Sequence, residues 1–329
     1  MAVELDRYRS NTFAESTKAT YRSHRNKYLA FCQQFGCKPL PASTSQLTFY
    51  VAYLARSLKP QCIPQYLNYI SLIHQECGLP NPISRNWVIS STLTGIKRTL
   101  GCVINRKLPI TPELLLSIYK HLSLCSSFHT TFWAVCLTSF FGFFRKSHIL
   151  PTSRASFNPN QQFLKSDFSF YQWGVLITVR WSKTLQFQER VVQVPIFYIR
   201  SSPLCPVSAI INMLHHSHRS NHIPSSPMFT WSPAPSSPSV PLTYGEFVSF
   251  LRSMLALIGL APDDYASHSF RRGGASLALL AGVPIEQIKA LGDWSSDAVL
   301  LYLHSPLSVR LQAQDSLSKF IHSQTQSHS

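Results

Sequence analysis

Apolar residues in the first hundred positions recur every three to four places, which is the spacing of helices that bury one face. Over residues 16–35, Tyr21, Tyr28, Cys32 and Phe35 share one stripe, and Gly36 ends the pattern. Lys18, Arg22 and Arg25 fall on another face of the same segment. Ser43 and Gln46 have capping-box spacing, predicting a helix through Leu58 with Leu47, Tyr50, Val51 and Leu54 turned inward. Residues 65–77 and 85–100 predict two more helices, closed by Gly78 and Gly101. Residues 102–110 are polar and basic, and Thr111-Pro112-Glu113 then supplies an N-cap, an N1 proline and an acidic first turn. A domain boundary is placed there, giving a helical domain over 1–105 and a second domain over 106–329.

The second domain opens with predicted helices at 111–122 and 130–144. The latter is apolar all round and is expected to be a buried core helix ended by Arg145. The period then shortens. Residues 173–181 and 189–196 are rich in Val, Ile and aromatics and flank a polar stretch, the pattern of a β-hairpin. A helix follows at 206–216, and the Pro/Ser-rich residues 218–241 read as an exposed loop. Thr243 with Glu246 opens a helix to Ile258, which Gly259 ends. Short helices are predicted at 267–281, 284–291 and 295–303, with a polar tail from Ser316 that frays or docks on a neighbour. The fold class is therefore mainly α with a small β-sheet (α+β).

Charge narrows the partner. The chain carries 30 Lys and Arg against 14 acidic residues, a net +16 in 329 residues. The excess is shared, with 12 basic against 4 acidic residues before position 106 and 18 against 10 after it. A basic surface without a lysine-rich tail suggests contact with a polyanion, most simply nucleic acid. None of the eight cysteines forms a CxxC pair and no zinc-ligand spacing occurs, so no metal, cofactor or disulfide framework is expected. The very apolar residues 132–144 are too short to cross a bilayer, and a soluble intracellular protein with no membrane partner is expected.

Four points in the second domain carry chemistry in order. Arg145 lies within Phe143-Phe144-Arg145-Lys146-Ser147. Lys183 lies in the hairpin turn, within Trp181-Ser182-Lys183-Thr184. His268 and Arg271 are three apart on one helical face, and Tyr302 follows Gly292-Asp293-Trp294. Attack on a phosphodiester builds negative charge on the non-bridging oxygens, which two guanidiniums grip with forked, charge-assisted hydrogen bonds. A phenol is a poor nucleophile near neutrality unless a base or nearby cations help remove its proton, a task open to His268. The leaving 5′ oxygen needs a proton, which a lysine can deliver.

This ordered set resembles the tyrosine recombinase (phage integrase) family. The wording Phe141-Gly142-Phe143-Phe144-Arg145-Lys146-Ser147, Trp181-Ser182-Lys183-Thr184, Leu204-Cys205-Pro206-Val207, residues 268–275 and Gly292-Asp293-Trp294-Ser295-Ser296-Asp297-Ala298 is similar to its eukaryotic transposon branch, the Crypton and DIRS/Ngaro-like elements. The resemblance covers nearly the whole chain. It implies a core-binding domain and a catalytic domain that clamp double-stranded DNA, and DNA strand cleavage and rejoining in recombination or integration. It further implies a phosphate grip by Arg145 and Arg271, Lys183 as general acid, His268 assisting the proton on Tyr302, and a 3′-phosphotyrosyl link. Trp294 is assigned the supporting late position. A homo-tetramer on two duplexes and a nuclear location are implied with it, and neither metal nor ATP. Lys18, Arg22, Arg25, Lys97, Arg98 and Arg272 are the candidate DNA contacts. The chain departs from the family pattern twice. His148 stands where an acidic residue often follows the first arginine, and Asp293, not a His or Trp, lies nine places before Tyr302.

Two other readings stay open on sequence. The chain could be a catalytically inactive, domesticated DNA-binding protein of the same fold, or an enzyme resembling type IB topoisomerases. The Ala281-Gly282 turn also fits a transcriptional helix-turn-helix, although that leaves Lys183 and Tyr302 unexplained.

Overall fold

The computed structural model describes residues 1–101, 106–182, 191–216, 223–234, 237–294, 299–300, 314–315 and 318–319. It divides into two compact units, Met1–Asn105 and Arg106–Ser329.

The described part of the first unit is helical: α1 (Ala2–Ser10), α2 (Glu15–Gln34), α3 (Thr44–Ala55), α4 (Ile63–Glu76) and α5 (Trp87–Leu100). Helix α2 buries His24, Tyr28, Phe31 and Cys32, a stripe at i, i+4, i+7 and i+8. Tyr28, Phe31 and Cys32 pack on Leu47, Tyr50, Val51 and Leu54 of α3 and on Ile63, Leu67 and Ile70. Phe35, expected on the buried stripe, is instead exposed, because α2 has ended and the chain turns through Gly36 at φ +63°. The box at α3 is half formed. Ser43 Oγ accepts from Gln46 N–H at 3.2 Å, but the Gln46 amide donates to Lys38 O and Tyr28 Oη rather than back to Ser43. Tyr28 in turn donates to Pro39 O at 2.9 Å, so Gln46 ties the α2–α3 connection to the core.

The second unit is built around α7 (Ser127–Phe141), preceded by α6 (Pro112–Tyr119). Residues Thr130 through Phe140 of α7 are all buried, as an all-round apolar helix requires. The helix stops at Phe141, short of the predicted end. Gly142 caps it, Phe143 turns to φ +51°, and Arg145 becomes the N-cap of the short α8 (Lys146–Ile149). Arg145 therefore does not complement a helix C-terminus.

A three-stranded antiparallel sheet follows: β1 (Phe168–Tyr171), β2 (Gly174–Val179) and β3 (Val192–Phe197). Val179 pairs with Val192 at the end of the ladder where the chain connects β2 to β3, and Val175, Ile177, Val194 and Ile196 face the core. The sequence pattern missed β1, whose four residues are too few to show a period. Helix α9 (Pro206–His216) packs on α7. The segment read as an exposed loop contains the buried pair Met228 and Phe229 and a small ribbon, β4 (Thr230–Trp231) against β5 (Val240–Pro241). Its proline and serine content hid that short apolar run.

Helix α10 (Tyr244–Leu257) opens with a complete Thr243/Glu246 capping box. Next come α11 (Ser267–Leu280) and α12 (Ile285–Gly292). Helix α11 lies flush against its neighbours: a Cβ on Gly273 would strike the Ile110 carbonyl, and one on Gly274 the Phe140 carbonyl. That close approach sets where the first turns of α11 point. Most of the helix predicted at 295–303, and most of the tail from Ser316, lies outside the described residues.

Candidate active site

Arg271 is the largest fully buried side chain among the described residues, 1% exposed. Its guanidinium donates to two main-chain carbonyls, Phe143 O after α7 and Gly292 O at the end of α12, the latter at 2.6 Å. A buried guanidinium demands such partners, since it cannot shed its charge. The Trp294 ring covers it at 3.8 Å. Gly292 permits this, because a Cβ there would run into the indole. Asp293 between them adopts the left-handed conformation (φ +50°, ψ +52°) as the C-cap of α12.

Arg145 approaches the same place from the start of α8. Its Nη1 is buried and finds no hydrogen-bond partner among the described residues. Lys146 stacks over the Tyr244 ring at 3.9 Å. His268, one turn before Arg271, stands exposed on the outer side. Partial loss of water, then the charges of Arg271, Lys146 and Arg145, hold its pKa below the ordinary histidine value. Sequence spacing therefore brought together residues that feel one another: Arg145, His268 and Arg271 share one field, with Trp294 on the guanidinium.

His148 is 3% exposed, and neither ring nitrogen has a partner among the described residues. The rings of Phe144, Phe163 and Trp181 surround it. Burial first, then Arg145 and Arg271, push its pKa down to about 3, with Asp293 opposing. The imidazole is thus neutral, and this position brings no negative charge to offset the arginines.

Ser182 is fully buried and donates to Asp293 Oδ2 at 2.8 Å. Sequence reasoning selected neither Ser182 nor Asp293 as a site residue, nor Lys146, although all three stand beside residues it did select. Lys183 and Tyr302 lie outside the described residues.

The remaining candidates lie elsewhere. Arg272, one step along α11 from Arg271, donates to Lys107 O at 2.7 Å and so braces the segment leading into α6. In the first unit, Lys18, Arg22 and Arg25 border an open depression of about 270 Å³, together with Tyr21 and Tyr69. Lys18 pairs with Glu15 at 2.6 Å. Lys97 and Arg98 are exposed on the last turn of α5.

With this geometry in place, likeness to known proteins becomes informative. No family model matches the chain. It is 24% identical over 285 residues to an integrase/recombinase xerD homolog of Selenomonas ruminantium, covering 84% of this chain and 78% of that protein. Among solved structures it is similar to the Tn1549 transposon integrase in complex with transposon right end DNA. There the TM-score is 0.62 at 12% identity, over 96% of this chain and 98% of the other. A lambda integrase (75–356) dimer bound to a COC′ core site superposes with a TM-score of 0.57 at 17% identity, over 92% and 95%. The chain has the integrase fold. The integrase likeness runs through both units, so the helical first unit is part of the shared architecture rather than an unrelated addition.

Proposed function

We propose that this protein breaks and rejoins DNA strands in site-specific recombination or integration, through a 3′-phosphotyrosyl intermediate on Tyr302. The observation that carries the reading is the cluster of cationic side chains in the second unit. Arg145 holds an N–H group with no partner among the described residues, Arg271 is fixed beside it, and His148 is neutral where the pattern would have an acid. Such a cluster attracts the anion that a phosphodiester presents and stabilises the added charge of its transition state.

In the proposed reaction the Tyr302 oxygen attacks the scissile phosphorus, and its proton passes towards His268, whose lowered pKa leaves it a free base at neutral pH. Arg145 and Arg271 hold the non-bridging oxygens. The P–O5′ bond breaks as Lys183 protonates O5′. A 5′ hydroxyl of a second strand then attacks the phosphotyrosyl ester and releases the tyrosine. The ester keeps the energy of the broken bond, so rejoining draws on no nucleotide.

The same reading makes double-stranded DNA the partner, contacted by both units, with the cations around Arg22 and Arg25 contributing backbone contacts. It extends to a homo-tetramer on two duplexes and, from the resemblance to the eukaryotic transposon branch, to a mobile element acting in the nucleus. The test is incubation with nicked duplexes cut from the DNA flanking its gene. A covalent protein–DNA adduct that vanishes in Tyr302→Phe is expected. Binding without any adduct would leave a DNA-binding relic instead.

A further inference from the structure

Three consecutive residues after β2 are each pinned by a different part of the second unit. The Arg180 guanidinium grips the buried Asp167 carboxylate through Nε at 2.6 Å and Nη2 at 2.8 Å, and also donates to Pro159 O and Gln162 O. The Trp181 ring meets His148 edge-on at 6.3 Å and 89°. Ser182, with no exposed surface, donates to Asp293 Oδ2 at 2.8 Å. A buried hydroxyl bonded to a carboxylate is a strong, directional tether.

Asp293 belongs to the loop that frames Arg271. The residue before it gives Arg271 a carbonyl, and the residue after it covers Arg271 with its indole. The loop is itself fastened to α12 by Trp294 N–H on Lys289 O at 3.0 Å. A tether to Asp293 therefore fixes Ser182, the residue that precedes Lys183 in the sequence, in the frame of Arg271.

We infer that the Ser182–Asp293 hydrogen bond is a latch that registers the general-acid turn against the phosphate grip, making both residues positioning residues for protonation of O5′. This rests on the proposed function and adds to it a role for Asp293 distinct from that of Trp294. Trp294 supports the guanidinium, whereas Asp293 supports the acid. Without the latch, protonation of O5′ slows, whereas the grip on phosphate is unaffected.

A 5′-bridging phosphorothiolate separates these effects. Its P–S bond breaks to give a thiolate, which leaves without a proton, so loss of general-acid positioning no longer matters. In Ser182→Ala, cleavage of ordinary DNA is expected to slow by about tenfold or more, a fraction of what a general acid supplies. Cleavage of the phosphorothiolate stays near the wild-type rate. Asp293→Asn keeps an acceptor oxygen and a residue type that tolerates positive φ, and retains most of the activity on both DNAs. A wild-type rate for Ser182→Ala on ordinary DNA overturns the latch. So does equal loss on both DNAs, which would mean damage to the grip. Absence of wild-type adduct on either DNA instead overturns the proposed function, and the latch with it.

Discussion

The guanidinium of Arg271 lies 3.8 Å from the ring of Trp294, with Gly292 reduced to a hydrogen so that the indole can settle there. A desolvated cation–π contact contributes about 2 kcal/mol. Trp294→Ala is therefore expected to slow single-turnover DNA cleavage by about 30-fold. Trp294→Phe keeps an aromatic face and should lose much less. Equal loss in both variants would argue that the indole acts by filling space alone.

His148 makes a prediction about pH and stability. Its pKa is about 3 when folded, against an ordinary value of 6.5. Below pH 6.5 the unfolded chain takes up a proton that the folded site rejects, so stability present above that pH is lost as pH falls towards 3. Full loss amounts to roughly 5 kcal/mol. Urea midpoints measured from pH 7 to pH 4 should fall less steeply for His148→Asn than for the parent. His24, His129 and His268 are shifted in the same direction and leave a residual slope in both. Parallel curves would mean that His148 is protonated in the native protein.

The close approach of α11 to α7 sets a limit on substitution. A Cβ on Gly274 meets the Phe140 carbonyl and the Phe143 ring. Overpacking of that kind costs about 1–3 kcal/mol, and backbone here gives way less easily than a side chain. Gly274→Ala should lower the melting temperature by about 5 °C or more. Gly245→Ala, which meets nothing within 4 Å, serves as the control.

Arg22 and Arg25 bear on DNA affinity rather than on chemistry. Each cation that neutralises a duplex phosphate adds about 0.9 to the slope of log K against log salt. The double variant Arg22→Ala/Arg25→Ala should reduce that slope by about 2. An unchanged slope would assign the face to solvent.

How much was legible in the sequence depends on what each feature required. Helices with a one-sided stripe, such as α2 and α4, were readable because burial leaves a period. The rim of the sheet and the β4–β5 ribbon were not, since two to four residues carry no period and Pro/Ser composition pointed elsewhere. In the site, Arg145, His268 and Arg271 were recognisable by type and order. Arg145's actual place was not, because α7 yields to a left-handed Phe143 that no local signal marks. The Ser182–Asp293 bond joins residues 111 positions apart, and only the fold brings them together.

The central claim is that Tyr302 becomes joined to DNA. The most direct measurement is mass spectrometry of the adduct trapped on a nicked duplex, after digestion with trypsin and nuclease. Residues 290–310 form one tryptic peptide in which Tyr302 is the sole tyrosine. A 3′-nucleotide phosphate on that tyrosine is the predicted result. A modification on any other residue, or a link to a 5′ phosphate, contradicts the account.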